Sequence, residues 1–172
     1  CDPARRERVK ARGEDPNALP ALYAKLISDS VKLCPADMAI GIHLCRGNHR
    51  SAWAAEGGYE PVADIMFNEC GVDTFFLEYD DARSGDFSPL RFVPKGKSVV
   101  LGVVCSKTPV LESKEAMRKR IEEATQYIAL DQLCLSPQCG FASTHEGNDL
   151  SEAEQLAKLQ LVVELASEIW QD

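Results

Sequence analysis

Four side chains of the types that bind zinc in proteins lie at three widely separated places in the sequence. His43 and Cys45 occur in HLCRGN, Glu78 occurs in FFLEYD, and Cys139 occurs in LSPQCGF. His43 and Cys45 are two residues apart, so on a strand their side chains point to the same side and can reach one ion. One imidazole, two thiolates and one carboxylate suit tetrahedral zinc. The pattern therefore predicts a zinc site.

Glu78 strengthens this prediction, because the His-x-Cys pair is a weak signal by itself. Glu78 lies in an otherwise apolar run, where an unpaired carboxylate would cost several kcal/mol or would take up a proton. A carboxylate is also easier to replace than a thiolate, so a site that contains one can exchange a ligand for a substrate. The ligand set therefore predicts a catalytic metal.

Four further cysteines are not expected to bind the metal. Cys34, Cys70 and Cys134 lie in or beside apolar patterns, which predicts that they pack as small hydrophobic residues. Cys105 ends an apolar run and would overfill a tetrahedral ion, so we expect it to form part of the pocket wall.

Three polar residues in loops beside the ligands are candidates for substrate binding. Arg46 and Asn48 follow Cys45, and Arg83 follows Glu78. Their side chains could hold a substrate carboxylate by charge-assisted hydrogen bonds. Ordinary surface salt bridges explain the same residues equally well, and the sequence leaves both interpretations open.

Alternating strand and helix patterns position these residues. Four apolar runs of strand length are separated by helical patterns: MAIGIHLC, DTFFLEYD, SVVLGVVC and QLCLS. Apolar strands joined by helices predict an α/β fold with a parallel sheet and right-handed crossovers. The ligands fall at the C-terminal ends of the strands, where both an eight-stranded barrel and an open doubly wound sheet place their sites. The pattern alone does not decide between the two.

Proline and acidic residues mark the predicted helix starts. Asp2-Pro3 predicts a short helix that Gly13 ends, Asp15-Pro16 predicts a second helix, and Pro61 and Ser113 predict two more. The second helix is expected to bury one stripe of residues, which are Leu19, Leu22, Tyr23, Leu26 and Ile27.

A capping box predicts the last helix. Ser151 is followed three residues later by Glu154, so each can satisfy a backbone N–H of the first turn. The face expected to be buried consists of Leu156, Leu159, Val163, Ala166 and Trp170.

Composition limits the protein class. The 172 residues are 45% hydrophobic, which predicts a single folded domain over residues 1–172. A net charge of −8 argues against nucleic acid or an anionic membrane as partner. Neither an apolar run of about 20 residues nor a signal peptide is evident. The seven cysteines lack regular spacing, which predicts a location in the reducing cytoplasm. The chain opens on Cys1 without an initiator Met, so we expect it to be a piece of a longer protein.

Four segments give the chain a specific family resemblance: HLCRGNHRS, GGYEPVADIMFN, FFLEYDDARSGDFSPLRF and DQLCLSPQCGFAST. In these segments it resembles the C-terminal catalytic barrel of cobalamin-independent methionine synthases, and more closely the short single-barrel proteins related to them. The resemblance covers essentially the whole chain. It implies a TIM-type (β/α)₈ barrel whose second half, the last four β/α units, is present here while the N-terminal half is absent.

The resemblance also implies a site and a reaction. It implies that His43, Cys45, Glu78 and Cys139 bind a catalytic zinc, which holds the thiol of homocysteine as a thiolate that attacks a methyl group carried by a folate, in methionine biosynthesis. Coordination lowers the pKa of a thiol enough to make it a nucleophile at neutral pH. The family has a His-Ser pair where this chain has Cys105-Ser106, so the methyl donor stays open. The family's acidic residue that holds the amino acid would lie upstream of Cys1, so we expect this piece to bind zinc but not to catalyse the full reaction by itself.

Two alternatives to this reaction remain. One is a zinc thiol alkyltransferase that uses coenzyme M, with a methylcorrinoid or an epoxide as electrophile. The other is a non-catalytic, metal-holding half-barrel. Because half a barrel leaves open strand edges, we expect a homo-oligomer or a missing N-terminal half as partner, beside the small-molecule thiol and methyl donor.

Overall fold

The computed structural model describes residues 1–142 and 144–170, and a sheet of four parallel strands lies at its centre. The strands are β1 (Gly41–Leu44), β2 (Thr74–Glu78), β3 (Ser98–Val104) and β4 (Leu133–Pro137). They pair in the order β1-β2-β3-β4. A doubly wound sheet reverses its strand order at a switch point, whereas a barrel adds its strands in sequence. The observed order is that of a barrel segment.

Helices connect most of the strands. They are α1 (Pro3–Ala11), α2 (Leu19–Val31), α3 (Ala63–Glu69), α4 (Lys114–Ala124) and α5 (Glu152–Ile169), with 3₁₀ helices at Ala82–Ser84, Ser88–Phe92 and Leu130–Gln132. The prediction that a helix joins each pair of strands is confirmed for β1–β2 and β3–β4, which α3 and α4 connect. It is wrong for β2–β3, which two 3₁₀ helices connect. Gly85 has a φ of 75° between those two helices, and Pro89 lies in the second, so this stretch cannot continue one α-helix.

The hydrophobic core lies between one face of the sheet and the helices. Phe75 and Leu77 of β2 and Leu101 of β3 are almost fully buried on this face. Phe67 of α3 packs edge-on against Phe75, with 4.9 Å between the ring centroids. Met117 and Ile121 of α4 and Leu161 and Leu165 of α5 complete the same cluster.

Two of the predicted N-terminal signals give different results. Asp2 caps α1 as predicted, because its carboxylate accepts a hydrogen bond of 3.0 Å from the Arg5 backbone N–H. The prediction that Asp15-Pro16 starts the next helix is wrong, since α2 begins at Leu19. The Asp15 carboxylate instead accepts from the Asn17 backbone N–H at 2.8 Å, which makes a local turn before the helix.

The predicted stripe of α2 is largely exposed rather than buried. Leu22, Tyr23 and Leu26 are 52–55% exposed, and Ala24 is the buried residue of this helix. The other two residues of the stripe, Leu19 and Ile27, are half-buried, and Ile27 packs against the core. The helical period was predicted correctly, but the burial it implied is wrong for three of the five residues.

The capping box of α5 is confirmed, but the predicted face is wrong. Ser151 and Glu154 make both reciprocal hydrogen bonds. The helix buries Lys158, Leu161 and Leu165, whereas the predicted Leu156, Leu159 and Val163 are exposed and Ala166 and Trp170 are half-buried. Lys158 Nζ lies 3.0 Å from Glu112 Oε2 and also donates to the Val110 carbonyl. This buried ion pair stabilises a helix orientation that apolar periodicity could not predict.

The opposite face of the sheet is open. Phe76 of β2 is 39% exposed on it, and Cys134 of β4 is also exposed. The expected packing of Cys134 as a small hydrophobic residue is therefore wrong, although Cys70 is buried as expected and Cys34 is half-buried. Among the described residues, every helix is too short or too polar to cross a membrane.

Candidate metal centre

Four side chains converge at the C-terminal ends of β1, β2 and β4. One ligand atom from each of His43, Cys45, Glu78 and Cys139 lies within 4.8 Å of every other. Cys45 Sγ is 3.6 Å from Glu78 Oε1 and 3.8 Å from Cys139 Sγ, and Cys139 Sγ is 3.8 Å from His43 Nε2. A tetrahedral zinc with bonds of about 2.0–2.3 Å needs ligand atoms about 3.3–3.8 Å apart. The donor set and these three distances therefore fit zinc.

Strand register brings these residues together. His43 pairs with Phe76 across β1 and β2, and Glu78 pairs with Gly102 across β2 and β3. A Cβ atom at Gly102 would lie 2.7 Å from Gln138 Cα and 2.8 Å from the Leu77 carbonyl oxygen. Only glycine therefore lets the backbones of Gln138 and Leu77 approach β3 so closely at this position.

Glu78 is fully buried, and the protein supplies partners to both of its carboxylate oxygens. Oε2 accepts a 2.8 Å hydrogen bond from the Arg46 backbone N–H and lies 3.7 Å from an Arg46 guanidinium nitrogen. Oε1 accepts from Gln138 Nε2 at 3.3 Å and lies 3.9 Å from Lys107 Nζ. The two cations offset the cost of burying this carboxylate, which faces Cys45 through Oε1.

Tyr59 fixes the backbone at the end of β2. Its hydroxyl accepts a 2.8 Å hydrogen bond from the Glu78 backbone N–H and a 2.9 Å bond from Arg46. Burial raises the pKa of Tyr59 to about 12, with the Arg46 charge opposing that rise. The hydroxyl therefore stays neutral and holds Glu78 in position.

The three predicted substrate residues lie near the centre, and each already contacts the protein. The Arg46 guanidinium donates to the Gly57 and Glu78 carbonyls as well as to Tyr59. Arg83 contacts Asp80 and Asp81 at 2.8–3.2 Å. Asn48 donates to the Gly140 carbonyl at 3.2 Å.

Two of these residues keep buried atoms to which the described part of the chain offers no hydrogen bond. They are Arg83 Nη1 and Asn48 Oδ1. Such atoms are suited to a bound ligand, because a buried polar group without a partner is costly. Substrate binding by Arg46, Asn48 and Arg83 stays a prediction.

Burial and neighbouring groups shift the pKa values of two of the candidate ligands, Cys45 and His43. Desolvation raises the pKa of the Cys45 thiol to about 11. A hydrogen bond from the Gly47 N–H lowers this pKa, whereas repulsion from Glu78 and Cys139 raises it further. A hydrogen bond with Cys139 raises the pKa of His43, which desolvation opposes. The Cys45 thiol is therefore protonated at neutral pH until a metal displaces its proton.

Sequence reasoning missed three residues that support the centre. Tyr59, Lys107 and Gln138 are all buried and all contact Glu78. Gln138 directly precedes Cys139, and Lys107 lies just beyond the end of β3, so polar residues next to strand ends were the available signal. Cys105 is half-buried, and its backbone N–H donates to Glu112 Oε1 at 2.7 Å; its place in the pocket wall stays a prediction.

Together, the fold and the site define an α/β half-barrel with a candidate metal centre at the C-terminal ends of its strands. The family model described as "Cobalamin-independent synthase, Catalytic domain" matches residues 6–168. The chain belongs to this family of methionine synthases, as the resemblance implied.

Relatives by sequence include one methionine synthase. The chain is 54% identical over 166 residues to protein YxjH of Bacillus subtilis, a match that covers 96% of this chain and 44% of YxjH. It is 29% identical over 125 residues to a methionine synthase of Pyrococcus horikoshii, covering 73% of this chain and 32% of that protein. The chain thus spans less than half the length of the curated relatives it matches.

Solved structures agree on the fold. A presumed vitamin-B12-independent methionine synthase from Listeria monocytogenes matches with a TM-score of 0.71 and 38% identity, over 93% of this chain and 44% of that one. A B12-independent methionine synthase from a Shewanella species matches with a TM-score of 0.63 at 16% identity, over 91% and 57%, which supports the fold alone. The prediction of half a TIM-type barrel is confirmed.

Proposed function

We propose that this chain forms the metal-binding half of a zinc-dependent methyltransferase that methylates a homocysteine-like thiol. The observation that carries the proposal is the convergence of His43, Cys45, Glu78 and Cys139, whose ligand atoms all lie within 4.8 Å of one another, with three of the distances at 3.6–3.8 Å. Membership of the cobalamin-independent methionine synthase family supports the reaction type. A cytoplasmic location suits this proposal, since a reducing compartment keeps both thiols available as ligands.

The proposed reaction forms one bond and breaks another. The sulfur of the substrate thiol bonds to the methyl carbon while the bond from that carbon to the donor breaks; the thiol proton goes to solvent, and the donor leaves with the bonding electron pair. Zinc, when bound, supplies the acidity that keeps the substrate sulfur as a thiolate. Glu78, Arg46 and Tyr59 hold the ligand end of β2 rigid, so the ligand atoms are positioned before substrate arrives.

The methyl donor is the less defined half of the proposal. The family's His-Ser pair is replaced by Cys105-Ser106. Desolvation raises the pKa of the Cys105 thiol, so this residue stays protonated near neutral pH. We propose a folate-type methyl donor as the first choice and a methylcorrinoid as the second.

Metal analysis with a matched cysteine pair tests the site. Cys139→Ser should weaken zinc binding by about 100-fold or more, because it removes a thiolate ligand. Cys134→Ser removes a thiol from the same open face without touching the centre and should bind zinc as the unchanged protein does. Full zinc retention in Cys139→Ser would refute the four-ligand site.

Methyl transfer tests the reaction. The zinc-loaded chain, assembled with an N-terminal half, should convert homocysteine to methionine with methyltetrahydrofolate or with methylcobalamin, and Cys139→Ser should not. The isolated chain is expected to bind zinc without catalysing the full reaction. Each donor is assayed separately, and mass spectrometry of the methionine formed in each assay distinguishes the two donors. Transfer from neither donor by the zinc-loaded assembly of both halves would contradict the methyltransferase and leave a metal-holding module.

We also propose that this half-barrel pairs with a second half, either another copy of the chain or an N-terminal half. The outer edges of β1 and β4 have no paired strand in the described residues, and Phe76 lies exposed between them. Unpaired edges and an uncovered apolar face favour association. Sedimentation should show a dimer of the isolated chain or a complex with the other half, and a stable monomer in both conditions would contradict this.

A further inference from the structure

One oxygen of Glu78 lies between the proposed metal ligands and a buried lysine–glutamine pair. Oε1 is the carboxylate oxygen that lies 3.6 Å from Cys45 Sγ and is therefore the one that faces the proposed metal. The same oxygen accepts a hydrogen bond from Gln138 Nε2 at 3.3 Å and lies 3.9 Å from Lys107 Nζ. A metal and the Lys107–Gln138 pair therefore share this oxygen.

The protein holds Lys107 in this position. Lys107 and Gln138 are both nearly fully buried, so their side chains are shielded from water. Lys107 Nζ donates to Gln138 Oε1, while the amide nitrogen of the same Gln138 donates to Glu78. Gln138 thus orients Lys107 toward the carboxylate, and the charge stays beside Glu78.

We infer that Lys107, oriented by Gln138, is a positioning residue that competes with the metal for Glu78 and so makes Glu78 the ligand that an incoming thiol replaces. The inference rests on the proposed function. An ammonium group repels a nearby divalent cation, and it offers the departing carboxylate a partner that needs no rearrangement. Oε2 stays bound to the Arg46 backbone during the exchange, so Glu78 can leave the metal while one oxygen remains fixed.

Cobalt(II) is the probe for this competition, because its visible spectrum reports both binding and the number of sulfur ligands. We compare the full chain with Lys107→Met, Lys107→Arg and, as a matched charge control, Lys119→Met, since Lys119 is exposed on α4. Affinity is measured at pH 8 by competition with a chromophoric chelator. Lys107→Met should bind cobalt about tenfold more tightly, Lys107→Arg should restore affinity to within about threefold, and Lys119→Met should have no effect.

Addition of homocysteine to the cobalt-loaded proteins tests the exchange itself. In the unchanged protein the sulfur-to-cobalt charge-transfer band should grow as a third sulfur binds. In Lys107→Met the same growth should need about tenfold more homocysteine, because Glu78 is then harder to displace. A structural role alone would not tighten metal binding while weakening thiol binding.

The outcomes separate this inference from the proposed function. Equal or weaker cobalt binding by Lys107→Met overturns the inference and leaves the metal site intact. Failure of the unchanged protein to bind cobalt refutes the proposed site, and the inference with it. If Lys107→Met does not fold, Gln138→Met decides the question: about threefold tighter binding supports the inference, and unchanged binding overturns it.

Discussion

The two faces of the sheet differ sharply although they share the same strands. Phe75 and Phe76 are neighbours on β2, yet Phe75 is fully buried against the helices and Phe76 is 39% exposed on the opposite face. The helix-covered face carries the apolar core, whereas the open face carries the proposed metal ligands at the C-terminal ends of its strands. Folding stability and the proposed chemistry are therefore assigned to opposite faces, and each can be altered with little effect on the other.

The largest expected effect tests this separation directly. Phe75→Ala should lower the free energy of unfolding by about 4 kcal/mol, since it leaves a cavity against Phe67 and removes a fully buried ring. Phe76→Ala should cost less than about 1 kcal/mol while the isolated chain is a monomer. Urea denaturation of both variants, at a protein concentration too low for the proposed dimer, measures the difference, and similar losses at that concentration would mean that another part of the same chain covers Phe76.

A smaller effect is expected where a buried ion pair links α5 to the loop after β3. Glu112→Ala should destabilise by about 3 kcal/mol, because Lys158 would keep a buried charge without its partner and the Cys105 backbone N–H would lose its acceptor. Lys158→Met should cost less, since it leaves no buried charge unpaired. The control is Glu122→Ala on the exposed side of α4. If Glu112→Ala behaves like this control, the ion pair does not fix α5.

The smallest effect concerns the metal-free ligands and pH. Because the pKa of Cys45 is raised from 9.0 to about 11, the native state keeps a proton that the unfolded chain loses between these values. The contribution of Cys45 to stability is therefore complete below pH 9 and is lost as pH rises toward 11.

The measurement is the free energy of unfolding from pH 8 to 11 with a chelator present, for the unchanged protein and for Cys45→Ser. The difference between the two isolates Cys45 from the other groups that titrate in this range. A parallel decline in both proteins would show that Cys45 is not perturbed.

The sequence predicted those features that depend on local pattern. The four strands, the Ser151–Glu154 capping box and the meeting of four distant candidate ligands at strand ends all follow from periodicity, capping chemistry and the geometry of parallel strands. These signals are contained in a few neighbouring residues or in the topology that follows from them.

Tertiary contacts explain the errors. The face that α5 buries is set by Lys158 and its distant partner Glu112, which a scale of apolar residues excludes from any core. Leu22 on α2 is exposed, because burial depends on which other elements contact the helix and the helical period alone does not contain that information. Lys107 and Gln138 were missed for the same reason, because their role depends on their contacts with Glu78 across the sheet.

The geometry of the candidate metal centre depends on Gly102 having no side chain. The space that a methyl group would need there is already taken by the Gln138 Cα and the Leu77 carbonyl. Leu77 and Gln138 each directly precede a proposed ligand, Glu78 and Cys139, so one added carbon would move two ligands apart without touching either. The dimensions of the proposed coordination sphere are thus set by a residue that donates nothing to the metal, and selection for metal binding would act on it as strictly as on the ligands.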